Sequence, residues 1–337
     1  MPDDPLVSVV VPYFNAAATL RQCLDSVYRS EYPNLQVIAV DDGSADGTYA
    51  AVADLPCHHV ALPRQSGAAV ARNVGADAAD GEILLFLDAD VIVSPDTIRR
   101  AVEALAADPD LTAAFGEYTA ETVPTNFASV YKNLIHHYTH QTSREDAASF
   151  WCGCGAIRAR AFRRVGGFDE SYAAASVEDI ELGYRLHAAG CRIRLDKSIR
   201  VTHVKRYTVA SLIRSDVRFR AIPWTKLMAR RNFFRADLNL KVHNVLSGLA
   251  LVVFLCWLVG AAPSADPGDA AWIAGVTLAL YVALNAGILL FVARRKSPLF
   301  LLGFAAMYMV TYLYSVVGFA LGLALYVRDR VEGKDRV

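Results

Sequence analysis

Residues 71–90 read ARNVGADAADGEILLFLDAD, and the order of residue types in this stretch decides how the chain begins to fold. An alanine-rich segment closes at Gly81, the run EILLFL (82–87) follows, and two carboxylates, Asp88 and Asp90, stand directly after it. A short apolar run bounded by turn residues is the pattern of a strand buried on both faces. Toward the amino terminus, VSVVVP (7–12), LQVIAV (35–40) and HHVAL (58–62) repeat the pattern, with stretches near 16–29 and 46–54 reading as helices between them. Strand alternating with helix predicts an α/β domain: a Rossmann-like, mostly parallel sheet covered on both faces, with ligands at the carboxyl ends of its strands.

Those ends gather polar residues. The first strand runs into Pro12-Tyr13-Phe14-Asn15, the second into Asp41-Asp42-Gly43-Ser44, and the 82–87 strand into Asp88-Ala89-Asp90. Asp, Gly and Ser are also ordinary turn chemistry, and a DxD triplet alone is common in loops. Placed straight after an apolar strand, however, Asp88 and Asp90 are hard oxygen ligands suited to Mg²⁺ or Mn²⁺ bridging to diphosphate oxygens.

The chain has 337 residues, 54% of them hydrophobic, with a mean hydropathy of +0.27, too apolar for disorder and unusual for a protein without membrane segments. Lys plus Arg equals Asp plus Glu at 34 each, which removes the case for a nucleic-acid binder of basic bulk composition. The balance is uneven along the chain: residues 1–204 carry 17 bases and 27 acids, 205–241 carry 10 and 2, and 242–337 carry 7 and 5. Six scattered cysteines lack zinc or disulfide spacing and read as reduced thiols. Cys152 and Cys154 form a CxC with no further sulfur or imidazole at ligand spacing. The amino terminus has acids where a signal peptide needs bases, so the first two hundred residues are expected in the cytoplasm.

The carboxyl-terminal part declares itself by length. Uncharged apolar runs at 245–262, 270–293 and 299–327 each approach or exceed the roughly 20 residues that span hydrocarbon. Three transmembrane helices are expected, the third long enough to tilt or to bend at Gly318 and Gly322, a GxxxG pair able to form a helix contact. The connector PSADPGD is acidic and RRKSP basic, so the positive-inside rule puts the second in the cytoplasm. The expectation is an integral protein of an inner or plasma membrane with its amino-terminal domain cytoplasmic.

The first two hundred residues closely resemble the family 2 glycosyltransferases of the GT-A fold: VSVVVPYFN, AVDDGSADGT (39–48), ARNVGADAADGEILLFLDAD, GGFDE (166–170) and VEDIELGYRLHAAG (177–190) occur in family order. The resemblance covers roughly residues 5–204. It implies inverting transfer from a nucleotide sugar, a UDP-sugar favoured. It puts Pro12, Asp42, Arg72 and Asp88 at the donor, Asp88 and Asp90 at a metal and diphosphate, and Asp179 as the base. A late histidine, His203, is a further metal-ligand candidate. On a helix, successive residues point about 100° apart, so only one of Glu178 and Asp179 can face the sheet edge. The family pattern chooses Asp179; read by themselves, the two acids also suit the start of a helix dipole.

Three segments are therefore expected: a catalytic domain (1–204), basic amphipathic interfacial helices (205–241) and a transmembrane region (242–337). In the middle one, bases interleave with aromatics, as in segments that lie on a membrane surface. Arg214, Arg218 and Arg220 near Trp224 are candidates to hold the phosphate of a lipid or polyprenyl-linked acceptor, and Trp151, among glycines, is a candidate to pack against it. Polymer-extruding members of the family carry Q-x-x-R-W here; this chain has RFRAIPW without the glutamine, which favours single transfer over processive synthesis. A catalytically silent membrane scaffold is the alternative of another class. His136 and His140 read as a packed or solvated helix face.

Overall fold

The computed structural model describes residues 4–172, 176–231, 242–260 and 266–334. The chain divides into two compact units, Met1–Tyr207 and Thr208–Val337.

In the first unit the expected alternation is present: β1 (Val7–Tyr13), α1 (Leu20–Tyr28), β2 (Leu35–Asp41), β3 (His58–Ala61), α2 (Ala68–Asp77) and β4 (Ile83–Leu87). There follow β5 (Val91–Val93), α3 (Thr97–Ala106), β6 (Leu111–Thr122), α4 (Phe127–Thr142), β7 (Asp146–Ala147), β8 (Cys154–Arg158), α5 (Ala159–Arg164), α6 (Glu178–Ala188) and β9 (Arg192–His203). The sheet order is β3-β2-β1-β4-β8-β6-β9-β5, with β7 on β9. The half built from the first four of these strands is parallel throughout, and β8 enters antiparallel beside β4. Every residue of β1 and β4 is buried, as their largely apolar runs require, and the buried Ser8 hydroxyl of β1 donates to Gln36 Oε1.

One element differs from its sequence pattern. The stretch near 46–54 makes only a single 3₁₀ turn, Tyr49–Ala51. The Asp46 carboxylate accepts from the backbone N–H of Ala17 and of Thr48, and Thr48 Oγ1 accepts from that of Ala16. Short polar side chains that take backbone donors in this way compete with helix formation.

The pairing brings the motifs to one edge. Tyr13 stands opposite Asp41 in the parallel register, so β1 and β2 end level. Leu87 pairs with Cys154 across β4 and β8, and the Asp88 N–H donates to Gly153 O at 3.3 Å, which carries the Trp151 loop to the DxD. From the far side, β5 pairs Val91 with His203, and the Val204 N–H donates to Asp90 O at 2.9 Å.

The second unit is helical: α7 (Val209–Asp216), a π turn (Val217–Ala221), α8 (Ile222–Arg231), α9 (Val242–Gly260), α10 (Pro267–Leu284), α11 (Ala286–Ala293) and α12 (Pro298–Val331). Thr208 and Ser211 form a capping box at the start of α7. Three of these helices, α9, α10 and α12, are long and apolar enough to cross a membrane. At 1.5 Å per residue, α12 is about 51 Å long, well beyond a hydrocarbon core of about 30 Å. The expected span 270–293 is instead two helices meeting at Asn285, whose amide donates back to Tyr281 O and to Ser247 Oγ while its oxygen accepts from Tyr312 OH. Residues 232–241 of the basic segment and the first part of the acidic connector lie outside the described residues.

Gly318 and Gly322 do form a helix contact, and their partner is the basic segment. A Cβ on Gly318 would meet Ala221 Cβ at 2.6 Å, and one on Gly322 would meet Thr225 Cβ at 2.7 Å. On either side, Tyr314 OH donates to Asp216 Oδ2 at 2.8 Å and the Lys226 ammonium pairs with Asp329. The segment from α7 through α8 thus runs lengthwise along the carboxyl-terminal half of α12. Gly318→Ile should lower stability by about 1–3 kcal/mol through overpacking, read as a lower Tm of the detergent-solubilised protein. Gly275→Ala, where an added Cβ meets nothing within 4 Å, should leave Tm unchanged or slightly raised.

Candidate active site

Arg72 lies on α2, whose start is shaped by Asp42. The buried Asp42 carboxylate follows β2 and accepts from the N–H of Ser66 at 2.6 Å and of Gly67 at 2.9 Å, fixing the turn into the helix. From the second turn of α2 the buried Arg72 guanidinium reaches two carboxylates. Nη2 donates to Asp88 Oδ1 at 2.9 Å and Nη1 to Glu178 Oε1 at 2.7 Å. The Phe168 ring covers it with its centroid 5.5 Å away.

Phe168 belongs to GGFDE, and that turn docks on the neighbouring Asn73. Asn73 donates to Phe168 O and to Glu170 Oε1, both at 2.9 Å, and accepts from the Phe168 N–H at 2.8 Å. Gly167 has a φ of +69°, and a Cβ there would sit 2.6 Å from Asn73 Oδ1, so only glycine lets the turn seat. These contacts give a physical reason for three of the sequence motifs, at 71–90, 166–170 and 177–190.

Glu178 and Asp179 open α6 and part as the helical geometry demands. Glu178 is buried and committed to Arg72, its other oxygen accepting from the Ser176 N–H. Asp179 is half-buried; its Oδ1 accepts from the Ile180 N–H at 2.8 Å, and its Oδ2 lies 3.5 Å from the Cys152 N and 3.6 Å from Cys152 Sγ. Burial, reinforced by the Glu178 carboxylate and opposed by Arg72, pushes Asp179 up to about 7. Such a carboxyl is poised for proton transfer near neutrality.

Asp88 and Asp90 have different partners. Burial, and Asp90 beside it, hold Asp88 above the usual carboxylate range although Arg72 pulls the other way. Burial also acts on Asp90, but Lys205 and His203 outweigh it and hold that group low. Lys205 Nζ lies 3.3 Å from Asp90 Oδ2 and His203 Nε2 lies 3.9 Å from Asp90 Oδ1. Two carboxylates with an imidazole alongside one of them are donor chemistry that fits Mg²⁺ or Mn²⁺, ions held by one or two carboxylates with substrate phosphate and water completing the shell. Among the described residues no three His, Cys, Asp or Glu side chains converge as a metal group, so such an ion would depend on the donor for further ligands.

Trp151 is half-buried in an aromatic cluster, with Tyr118 at 4.8 Å and His140 at 5.3 Å between ring centroids; Tyr118 also lies 4.5 Å from His203. His136 and His140 thus pack around this cluster, His136 at 5.6 Å from Tyr118. Pro12 lies buried within β1, in register with Val40. In the second unit Arg214 and Arg218 are exposed, while Arg220 and Trp224 are half-buried. Sequence reasoning did not reach Cys152 against Asp179, which no spacing announces, nor Lys205 against Asp90, where the charge count groups Lys205 with the basic segment.

A mixed α/β sheet that presents a DxD at the end of an apolar strand and an acidic helix start beside it defines a GT-A sugar-transferase fold. The family model described as glycosyl transferase family 2 matches residues 8–166, which lie within the amino-terminal unit. The chain is 41% identical over 102 residues, 29% of each protein, to the succinoglycan biosynthesis protein ExoO of Rhizobium meliloti. It is 29% identical over 255 residues, 64% of its own length, to the validoxylamine A glucosyltransferase of Streptomyces hygroscopicus subsp. jinggangensis. The matched stretches take in 29% and 60% of those relatives' own lengths. The fold is similar to that of the mannosyltransferase PcManGT from Pyrobaculum calidifontis, solved with GDP-Man and Mn²⁺, with a TM-score of 0.65 at 24% identity over 95% of this chain and 88% of that one.

The two acids of α6 should separate in mutants. Glu178→Ala leaves Arg72 half-paired in the interior and should cost about 3–5 kcal/mol, seen as a large fall in Tm. Asp179→Asn should leave Tm nearly unchanged while lowering kcat by about 10²- to 10⁴-fold. Because Asp179 must be ionised to take a proton and is pushed up to about 7, kcat/KM should fall about tenfold per pH unit below that value and level off above it. A profile flat down to pH 5 would remove Asp179 from the role of base.

Proposed function

We propose that the chain is a membrane-anchored, inverting glycosyltransferase that moves one sugar from a nucleotide sugar to a lipid or lipid-linked acceptor at the cytoplasmic leaflet. The observation that carries the reading is the Arg72 bridge. One buried guanidinium contacts Asp88 of the DxD and Glu178, the residue next to Asp179, so the carboxylates that face a diphosphate and the carboxyl that faces an acceptor belong to one network.

In the reaction the acceptor oxygen bonds to the anomeric carbon while the bond from that carbon to the diphosphate breaks, its electron pair staying on the diphosphate. The acceptor proton goes to Asp179. Asp88 and Asp90, with His203 as a further ligand, would hold a divalent ion, which would supply charge compensation for the departing diphosphate. Asp42 and Arg72 fix the floor of the donor site, Pro12 and Asp88 adjoin it, and Trp151 offers an aromatic face to the acceptor. A UDP-sugar is the favoured donor, and GDP-Man enters the comparison because PcManGT was solved with it.

The lipid acceptor rests on the second unit, where Arg214 and Arg218 are exposed on the segment that precedes three helices apolar enough to span a membrane. With Arg220 and Trp224 they would hold an acceptor phosphate through charge-assisted bonds.

Chelation with EDTA should silence transfer, and Mg²⁺ or Mn²⁺ should restore it; full activity in excess chelator would remove the ion from the reading. A thermal-shift screen of UDP-, GDP- and dTDP-sugars with Mn²⁺ would identify the donor. For the acceptor, losing one of Arg214, Arg218 or Arg220 should lower kcat/KM by about 10- to 150-fold with donor KM flat. Losses under threefold at all three would leave the segment an anchor.

A further inference from the structure

Lys205 is the first residue of the basic segment, yet it stands at the DxD. Its placement there is fixed by the backbone. Val91, directly after Asp90, pairs with His203, and the Val204 N–H donates to the carbonyl of Asp90 itself at 2.9 Å. The Lys205 Cα is therefore tied to the same short piece of chain that presents the carboxylates. Its ammonium rests 3.3 Å from Asp90 Oδ2 and 5.7 Å from the centroid of the Tyr207 ring.

The charges around the DxD make this arrangement informative. Asp88 and Asp90 are each met by one fixed cation, Arg72 and Lys205 respectively. A divalent ion approaching the pair enters a site whose negative charge is already answered. One of the two cations has to yield, and they differ in freedom. The Arg72 side chain is 5% exposed and also holds Glu178, whereas that of Lys205 is 52% exposed and has a single carboxylate partner among the contacts described. An ammonium on a four-carbon stem swings through several ångströms at little cost, which a buried, doubly bonded guanidinium does not. The group that Lys205 would meet on leaving Asp90 is the one that would arrive with the ion, since a diphosphate held through Asp88 and Asp90 would come close to a side chain rooted beside them.

We propose that Lys205 is a ligand of the donor diphosphate, parked on Asp90 while the site is empty and transferred to the diphosphate oxygens when metal and nucleotide bind. The exchange keeps Asp90 paired in both states and adds a positive charge to the side of the diphosphate that Arg72, held by Glu178, does not reach. This role rests on the nucleotide-sugar reading above and assigns a residue to it that none of the sequence motifs contains.

The parked cation and the diphosphate ligand have opposite signatures in binding, so the test needs no turnover. Full-length protein in detergent is titrated with Mn²⁺ alone, followed by the loss of the free-ion electron paramagnetic resonance signal. It is then titrated calorimetrically with UDP, GDP and dTDP at saturating Mn²⁺, for wild type, Lys205→Gln and Lys205→Arg. Lys205→Gln should bind Mn²⁺ alone several-fold more tightly, because a competing charge has left Asp90. The same variant should bind the preferred nucleoside diphosphate about 10- to 150-fold more weakly, the range for a lost hydrogen bond to a charged group. Lys205→Arg should keep most of the nucleotide affinity.

Nucleotide affinity within twofold of wild type in Lys205→Gln would overturn the proposal and leave Lys205 a surface partner of Asp90. Parallel loss of Mn²⁺ and nucleotide affinity in both variants would make it a prop for the carboxylates and overturn the proposal as well. A wild-type protein that binds none of the three diphosphates would instead sink the donor reading, and this role with it.

Discussion

The site is organised by one buried cation. Taking a guanidinium out of water is tolerated only when carboxylates accompany it and their geometry is good. Arg72 meets that condition with two of them, one at the end of β4 and one at the start of α6, 106 positions away from it in the chain. The Phe168 ring closes over the group, and the turn that supplies this ring is held by Asn73, the next residue along α2. The start of α6 is thus aligned by an ion pair and an amide lock. Arg72 Nε has no hydrogen-bond partner among the described residues, which concentrates the binding capacity of the group on its two terminal nitrogens.

This arrangement ties the two halves of the proposed chemistry together. Asp88 and Glu178 share a counter-charge, so anything that draws Asp88 toward an incoming cation changes the share of Arg72 left for Glu178. Glu178 in turn sits beside Asp179 and helps to keep that carboxyl high. A cation arriving at the DxD favours the ionised form of every carboxylate near it, Asp179 included. In the proposed reaction an ion at the DxD would favour ionised Asp179, and the diphosphate that accompanies it would offset part of that pull.

The sequence carried the frame of this site and left out its wiring. Strands such as VSVVVP and EILLFL were legible because burial on both faces leaves mostly apolar residues, and the DxD was legible because it follows one of them. The same reasoning misread 46–54, where the side chains of Asp46 and Thr48 take up backbone donors and a helix gives way to one turn. Pairing between remote side chains has no local signature. Nothing in the neighbourhood of Arg72 names Glu178, and nothing around Cys152 announces Asp179, because those contacts exist only once β8 lies beside β4 and brings the Trp151 loop to the edge. The spacing of Gly318 and Gly322 identified a contact surface but not its partner. That partner, the segment from α7 through α8, carries charges that argue against burial until Asp216 and Lys226 are seen to have companions on α12.

That last point alters what the basic segment can be. Its ten bases against two acids suggest a uniform positive band at the membrane surface. The structure divides them. Lys205 belongs to Asp90 and Lys226 to Asp329, while Arg231, Arg235 and Lys241 lie outside the described side chains. A charge that is paired in place contributes little to long-range attraction, because its partner cancels its field within a few ångströms and salt screens what remains. Of the exposed arginines described in the segment, Arg206, Arg214, Arg218 and Arg230, the proposed phosphate site uses Arg214 and Arg218, four positions apart. Two guanidinium groups at that spacing can converge on one phosphate, which a diffuse band of ammonium charge does not do. The tight packing of Ala221 and Thr225 on Gly318 and Gly322 gives this pair a rigid base, since the turn that carries Arg218 is held against α12 by backbone close enough to exclude a single methyl group.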